Sequence, residues 1–185
     1  MVITMGADGS NIRIAIPASE WDKGGHHPNW CPDGETVMMN LKVGGIAVPK
    51  AHARFFSTVR RRARRALGIR RSGMRFVSAR YDGSNYQVMA QTIVGSGHPS
   101  MHPNGRHIIT DAYPNEPVAH RDGTIPIRLI NLDTARIDTL VRINTVPPYR
   151  GPRNEMRVDP HPAWDRQYGC IAFNGCVDGT RRVYI

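Results

Sequence analysis

Gly97-His98-Pro99-Ser100-Met101-His102-Pro103-Asn104-Gly105-Arg106-His107-Ile108-Ile109-Thr110 decides the fold, because its phrasing recurs. A histidine–proline pair leads, a turn-forming cluster follows, and a β-branched run comes next. His27-Pro28-Asn29-Trp30-Cys31-Pro32-Asp33-Gly34 stands in the same way before Thr36-Val37-Met38-Met39. His161-Pro162-Ala163-Trp164-Asp165 stands before Gly169-Cys170-Ile171-Ala172-Phe173. A fixed phrase ahead of a strand marks a repeat architecture. A second phrase alternates with the first. It reads Asp8-Gly9-Ser10-Asn11, then Asp82-Gly83-Ser84-Asn85, then a diverged Asn131-Leu132-Asp133-Thr134, then Val177-Asp178-Gly179-Thr180. Each copy sits between strand-like runs, as a hairpin turn does.

The unit is therefore a four-stranded antiparallel meander, and the expected fold is an all-β, β-propeller segment of about three blades. Successive copies start at His27, His98 and His161, spacings of 71 and 63. A bare blade needs roughly 40–50 residues, so the excess lies in inserts: residues 44–73, Asn115–Gly123, and the proline-rich run from Val146 to Pro152. The expected layout is one domain, 1–185. It comprises blade ends at 1–20, a blade at 26–94, a blade at 97–145 and a partial blade at 159–185. In the first piece, Met1 to Ala18 reads as two strands with Ile12, Ile14 and Ile16 on one face. Propellers close with about 4–8 blades. Closure of this one calls for the remaining propeller blades or another chain, since open sheet edges invite association.

Composition narrows the class. Of 185 residues, 40% are hydrophobic, too many for a disordered chain. No apolar run approaches the ~18 residues of a membrane helix, so no membrane partner is expected. Met1–Gly9 lacks the basic start and apolar core of a signal peptide, and the expected compartment is cytoplasmic. Cys31, Cys170 and Cys176 read as reduced thiols, with a Cys170–Cys176 bridge the lesser option. The net charge is +10, and much of the excess comes from Arg60, Arg61, Arg62, Arg64, Arg65, Arg70, Arg71 and Arg75. Phe55, Phe56, Val59, Ala63, Ala66 and Leu67 roughly follow a helical stripe there, with Ser57 as a cap. This basic helical insert is either a surface helix with solvated arginines or a site for a polyanion.

The histidines carry the chemical signal. In a propeller the first strand of each blade lines the channel, so His27, His98 and His161 converge at its mouth. Imidazole suits Mn²⁺, Fe²⁺ or Zn²⁺. Asp159 lies two residues before His161, and in an extended segment both side chains point one way. A cluster of His98, Asp159 and His161 thus reads as a metal site. The other reading is a repeat consensus in which each ring hydrogen-bonds its neighbouring blade. His26, beside His27, shares the latter's candidacy. Arg157 and Arg153 lie near this segment and read either as arginines that pair with a carboxylate or as exposed loop arginines. Nucleophile elbows, phosphate loops and zinc-finger spacings are absent.

Gly97 to Asp111, the segment Arg157-Val158-Asp159-Pro160-His161-Pro162 and the closing Arg182-Val183-Tyr184-Ile185 resemble parts of the oligogalacturonate lyases. The Pro-Asp-Gly phrase is also similar to TolB-like propellers. The lyase resemblance implies a Mn²⁺ held by three histidines and a glutamine, a further histidine as base, and β-elimination of short acidic, uronate-containing oligosaccharides. By motif, His98 and His161 match two metal ligands. Asp159 falls where the family has its third histidine, and Met156 where it has glutamine. His27, or His26, falls near the base. The TolB resemblance implies instead a non-catalytic binding scaffold.

Overall fold

A computed structural model describes residues 1–44, 73–145 and 156–185. Its strands form four antiparallel sheets, each a simple up-and-down meander. The first pairs β1 (Val2–Thr4) with β2 (Arg13–Ile16). One helical turn, α1 (Ala18–Trp21), leads to the second sheet, β3 (Gly25–Trp30), β4 (Thr36–Val43), β5 (Gly73–Arg80) and β6 (Gln87–Val88). The third contains β7 (Ser100–Met101), β8 (His107–Thr110), β9 (Thr124–Asn131) and β10 (Ile137–Asn144). The fourth contains β11 (Ala163–Trp164), β12 (Ile171–Val177) and β13 (Thr180–Tyr184).

The second strand of each sheet explains how the sheets stack. In β4, Val37, Met39 and Leu41 pack with Ile16 of the first sheet and with Val77 and Ala79. Met38, on the opposite face, packs with Met101, Ile108 and Ile130 of the third sheet. In β8 the pattern repeats: Ile108 faces back to Met38, and Ile109 joins a cluster completed by Trp164, Ile171 and Phe173 of the fourth sheet. A strand buried on both faces must be apolar without alternation, which is why Val37-Met38-Met39 and Ile108-Ile109 are continuous runs. Consecutive sheets therefore lie face to face like vanes.

The turns are held by side chains. Asp33 Oδ1 accepts from the backbone N–H groups of Glu35 and Thr36, both at 2.9 Å, and its Oδ2 accepts from Thr36 Oγ1 at 2.7 Å. Asn104 does the same for Arg106 and His107, and Asp122 for Thr124. Such Asx turns account for the recurrence of Asp or Asn at these places.

Some expectations shift. Each recurring His-Pro phrase carries strand as well as turn, because β7 and β11 lie inside it and β3 runs into it as far as Trp30. Ile16 is buried, but Ile12 and Ile14 are 61% and 52% exposed, so the three do not share a buried face. Ile14 instead pairs with Ile3 across the two-stranded sheet. The arginine-rich insert with its helical stripe, and Arg153, lie outside the described residues. No described helix is long and apolar enough to cross a membrane.

All three cysteines are free thiols, Cys31 and Cys176 buried and Cys170 exposed. Burial, helped by nearby Asp33, pushes the Cys31 thiol up to about 12. Iodoacetamide at about pH 8 should label Cys170 and spare Cys31. Mass mapping that found Cys31 alkylated in the native protein at the rate of Cys170 would contradict this packing.

Candidate metal centre

The heads of three first strands meet at one rim. His27 sits in β3 where the pairing with β4 slips between His26 and Asn29, and its φ is +56°. A bulge of this kind re-aims a side chain. His98 lies two residues ahead of β7 and is 9% exposed. His161 lies two residues ahead of β11 with φ +45°. The His27 and His98 ring centroids are 4.0 Å apart, and those of His98 and His161 are stacked at 3.4 Å. His26 packs edge-on against His27 at 4.5 Å.

Asp159 completes the cluster. One ligand atom from each of His98, Asp159 and His161 lies within 4.8 Å of the others. The reason differs from simple alternation along an extended segment, since His161 is left-handed. Arg157 grips the Asp159 carboxylate at two points, Nε to Oδ1 at 2.7 Å and Nη2 to Oδ2 at 3.0 Å. Its guanidinium also covers the Tyr113 ring, 5.3 Å from the centroid. Of the residues expected at the site, His26, His27, His98, Arg157, Asp159 and His161 are gathered here. Met156 is 41% exposed.

Two residues not singled out from the sequence organise the group. Asp111, directly after β8, is fully buried. It accepts the backbone N–H of His98 at 2.6 Å and that of His161 at 3.0 Å, and meets His98 Nδ1 at 2.9 and 3.0 Å. Tyr113 Oη lies 2.5 Å from His27 Nε2 and 3.2 Å from His98 Nε2. Behind them, Asn40 Nδ2 donates to the Gly97 carbonyl at 2.7 Å and Thr110 Oγ1 to that of Ser96 at 2.7 Å. Glu116 takes the Tyr113 N–H at 3.1 Å and the Ser96 hydroxyl.

Electrostatics favour neutral rings at His26, His27 and His161. Burial, followed by the neighbouring His98, His26 and His161, pulls His27 down to about 4. Burial also lowers His26 and His161. Burial acts to raise the Asp111 carboxyl, but His98 and the two backbone N–H groups together hold it below the usual range. Burial, with Asp159 and Asp111 nearby, pushes the Tyr113 phenol up to about 12. The His27 shift sets a sign for stability in the metal-free protein. Its contribution is fully present above the ordinary imidazole value of 6.5, where both states are neutral, and is lost as pH falls towards 4. Thermal melts from neutral pH down to about pH 4 should therefore fall more steeply for the native chain than for His27→Gln. Parallel slopes would show that His27 is not held neutral.

The donor set fits a divalent first-row ion. With Nδ1 engaged by Asp111, Nε2 is the nitrogen His98 would offer an ion, in exchange for its contact with Tyr113 Oη. A carboxylate behind a ligating imidazole is the usual support of such a ligand. Imidazole and carboxylate together suit Mn²⁺, Fe²⁺ or Zn²⁺.

No family model matches the chain, and no curated protein does. Solved structures do. An oligogalacturonate lyase in complex with manganese superposes with a TM-score of 0.63 at 15% identity, over 98% of this chain and 39% of its own. The oligogalacturonate lyase of Vibrio parahaemolyticus gives 0.60 at 15% identity, over 97% and 39%. TolB from Acinetobacter baumannii gives 0.59 at 14% identity, over 98% and 33%. The chain has the fold of a β-propeller segment. At these identities the likeness is one of fold. The segment spans about two fifths of the length of the lyase chains it matches.

Proposed function

We propose that this propeller segment is the metal-binding, catalytic sector of a lyase that cleaves short uronate-containing oligosaccharides by β-elimination. The observation that carries the reading is the meeting of His27, His98, Asp159 and His161 at one rim, drawn from three consecutive sheets. His98, Asp159 and His161 would hold the ion, with Mn²⁺ the first candidate because a lyase of the same fold binds it. When bound, a divalent cation there would supply Lewis-acid stabilisation of the negative charge that develops beside a uronate carboxylate.

The rest falls to side chains. His27 is neutral and aligned, with Nε2 tied to Tyr113 Oη, so Nδ1 is the atom that takes the C5 proton. As that C–H bond breaks, the C4=C5 double bond forms, the C4–O bond breaks, and the leaving oxygen collects a proton from solvent. Arg157, held by Asp159 through Nε and Nη2, would offer its Nη1 to a substrate carboxylate, with Arg153 as a second candidate from the sequence. His26 backs His27 and is its understudy as base. The working site requires a closed ring, with further blades supplied by the same polypeptide or by another chain, in the cytoplasm.

The test is metal binding and turnover by the closed assembly. The native protein should bind Mn²⁺ and release a product with the ultraviolet absorbance of a conjugated, unsaturated uronate. Chelation and His98→Ala should each remove both signals. The TolB-like scaffold reading, favoured by the comparable match to that protein, predicts neither metal nor turnover, and that outcome would replace the lyase.

A further inference from the structure

We propose that Asp111 is the positioning residue of this centre: one buried carboxylate fixes which nitrogen His98 offers and where His161 stands. The inference rests on the reading that His98 and His161 hold a metal, and it assigns a role to a residue that touches neither ion nor substrate.

Four contacts converge on this carboxylate. Oδ1 accepts the His98 N–H at 2.6 Å, and Oδ2 accepts the His161 N–H at 3.0 Å. Both oxygens also face His98 Nδ1, at 3.0 and 2.9 Å. A carboxylate that takes two backbone N–H groups is held in its acceptor form, so the proton of the third contact belongs to Nδ1. The neutral ring is then the Nδ1–H tautomer with a bare Nε2. Tyr113 is compatible with this tautomer, since its hydroxyl lies 3.2 Å from that same Nε2 and can donate to it. Its oxygen is then free to accept from His27 Nε2 at 2.5 Å. Every hydrogen bond in the chain runs in one consistent direction.

The second half concerns backbone. His161 has φ +45° and precedes Pro162, and a residue before proline strongly prefers extended geometry. Its N–H points at Asp111, fifty residues away and in the neighbouring sheet. That bond compensates the unfavourable conformation and brings the His161 ring to 3.4 Å from His98. Asp111 thus ties two sheets together at the two positions whose imidazoles must share an ion.

The decisive measurements are Mn²⁺ titration of the native protein, Asp111→Asn and Asp111→Ala, together with ¹⁵N NMR of the His98 ring in the metal-free native chain. We expect a bare Nε2 on His98, and Mn²⁺ affinity about 10–100-fold weaker in both variants. Asn offers an N–H where an acceptor is required, so the near-isosteric change should not rescue binding. Native affinity in Asp111→Asn would overturn the proposal. So would a His98 ring protonated on Nε2, a result available from the native protein even if neither variant folds. A native protein that shows the bare Nε2 but binds no Mn²⁺ would instead remove the metal reading and leave Asp111 as the clasp between the two sheets.

Discussion

Replacing Gly97 by alanine is expected to lower stability by about 2–5 kcal/mol. Two costs combine. Gly97 has φ +66°, where an L side chain costs about 1–2 kcal/mol. A Cβ there would also overlap Asp111 Oδ1 and the Asp111 carbonyl. Overpacking of that kind typically costs about 1–3 kcal/mol, and both opposing groups are buried and hydrogen-bonded. For a chain of this size the loss corresponds to a melting temperature lower by roughly 4–20 °C. Gly123→Ala is the matched control. Gly123 has φ +85°, but nothing lies within 4 Å of its added Cβ, so only the backbone cost applies. The difference between the two melts isolates the clash with Asp111. Equal melting temperatures would mean that the Gly97–Asp111 contact is looser than described.

His27→Ala is expected to reduce turnover about 10²–10⁴-fold, the usual span for loss of a general base, while Mn²⁺ affinity stays within about threefold of native. The split follows from geometry, because His27 stands 4.0 Å from the His98 ring but outside the His98–Asp159–His161 group. Turnover kinetics and metal titration on the same samples would separate a base from a ligand. Parallel loss of affinity would make His27 a ligand and pass the role of base to its neighbour His26.

Much of this was legible because the repeat writes the same physics several times. Three His-Pro phrases and the Asp-Gly turns delivered the meander, and the continuous runs Val37-Met38-Met39 and Ile108-Ile109 agree with strands buried on both faces. The three imidazoles followed from their equivalent places in those phrases. Other features carried no local signal. Asp111 closes an apolar strand, where an acidic residue ordinarily marks a solvated end, and only the third dimension shows two backbone N–H groups and a ring nitrogen aimed at it. Tyr113 opens the stretch before Asn115, in a segment that reads as a loop. The left-handed His161 defies the preference of a residue before proline, so its pairing with Asp159 was reached by an alternation argument that its backbone does not follow. Ile12 and Ile14 kept the spacing but not the face of Ile16, since the pairing of β1 with β2 slips between Val2 and Ile3, and a bulge breaks the period of two.

The register of the second sheet has one more consequence. Gly25 and His26 pair with Leu41 and Asn40, and Val43 pairs with Gly73 two rungs further along. Val43 and Gly73 therefore stand at the end of the sheet that carries Gly25 and His26, the end to which Tyr113 and Glu116 also come in the next sheet. The chain that leaves β8 turns in at that same end and there furnishes Asp111 and Tyr113 to the imidazoles, so the exit of a second strand is where a blade can lend groups to its neighbours.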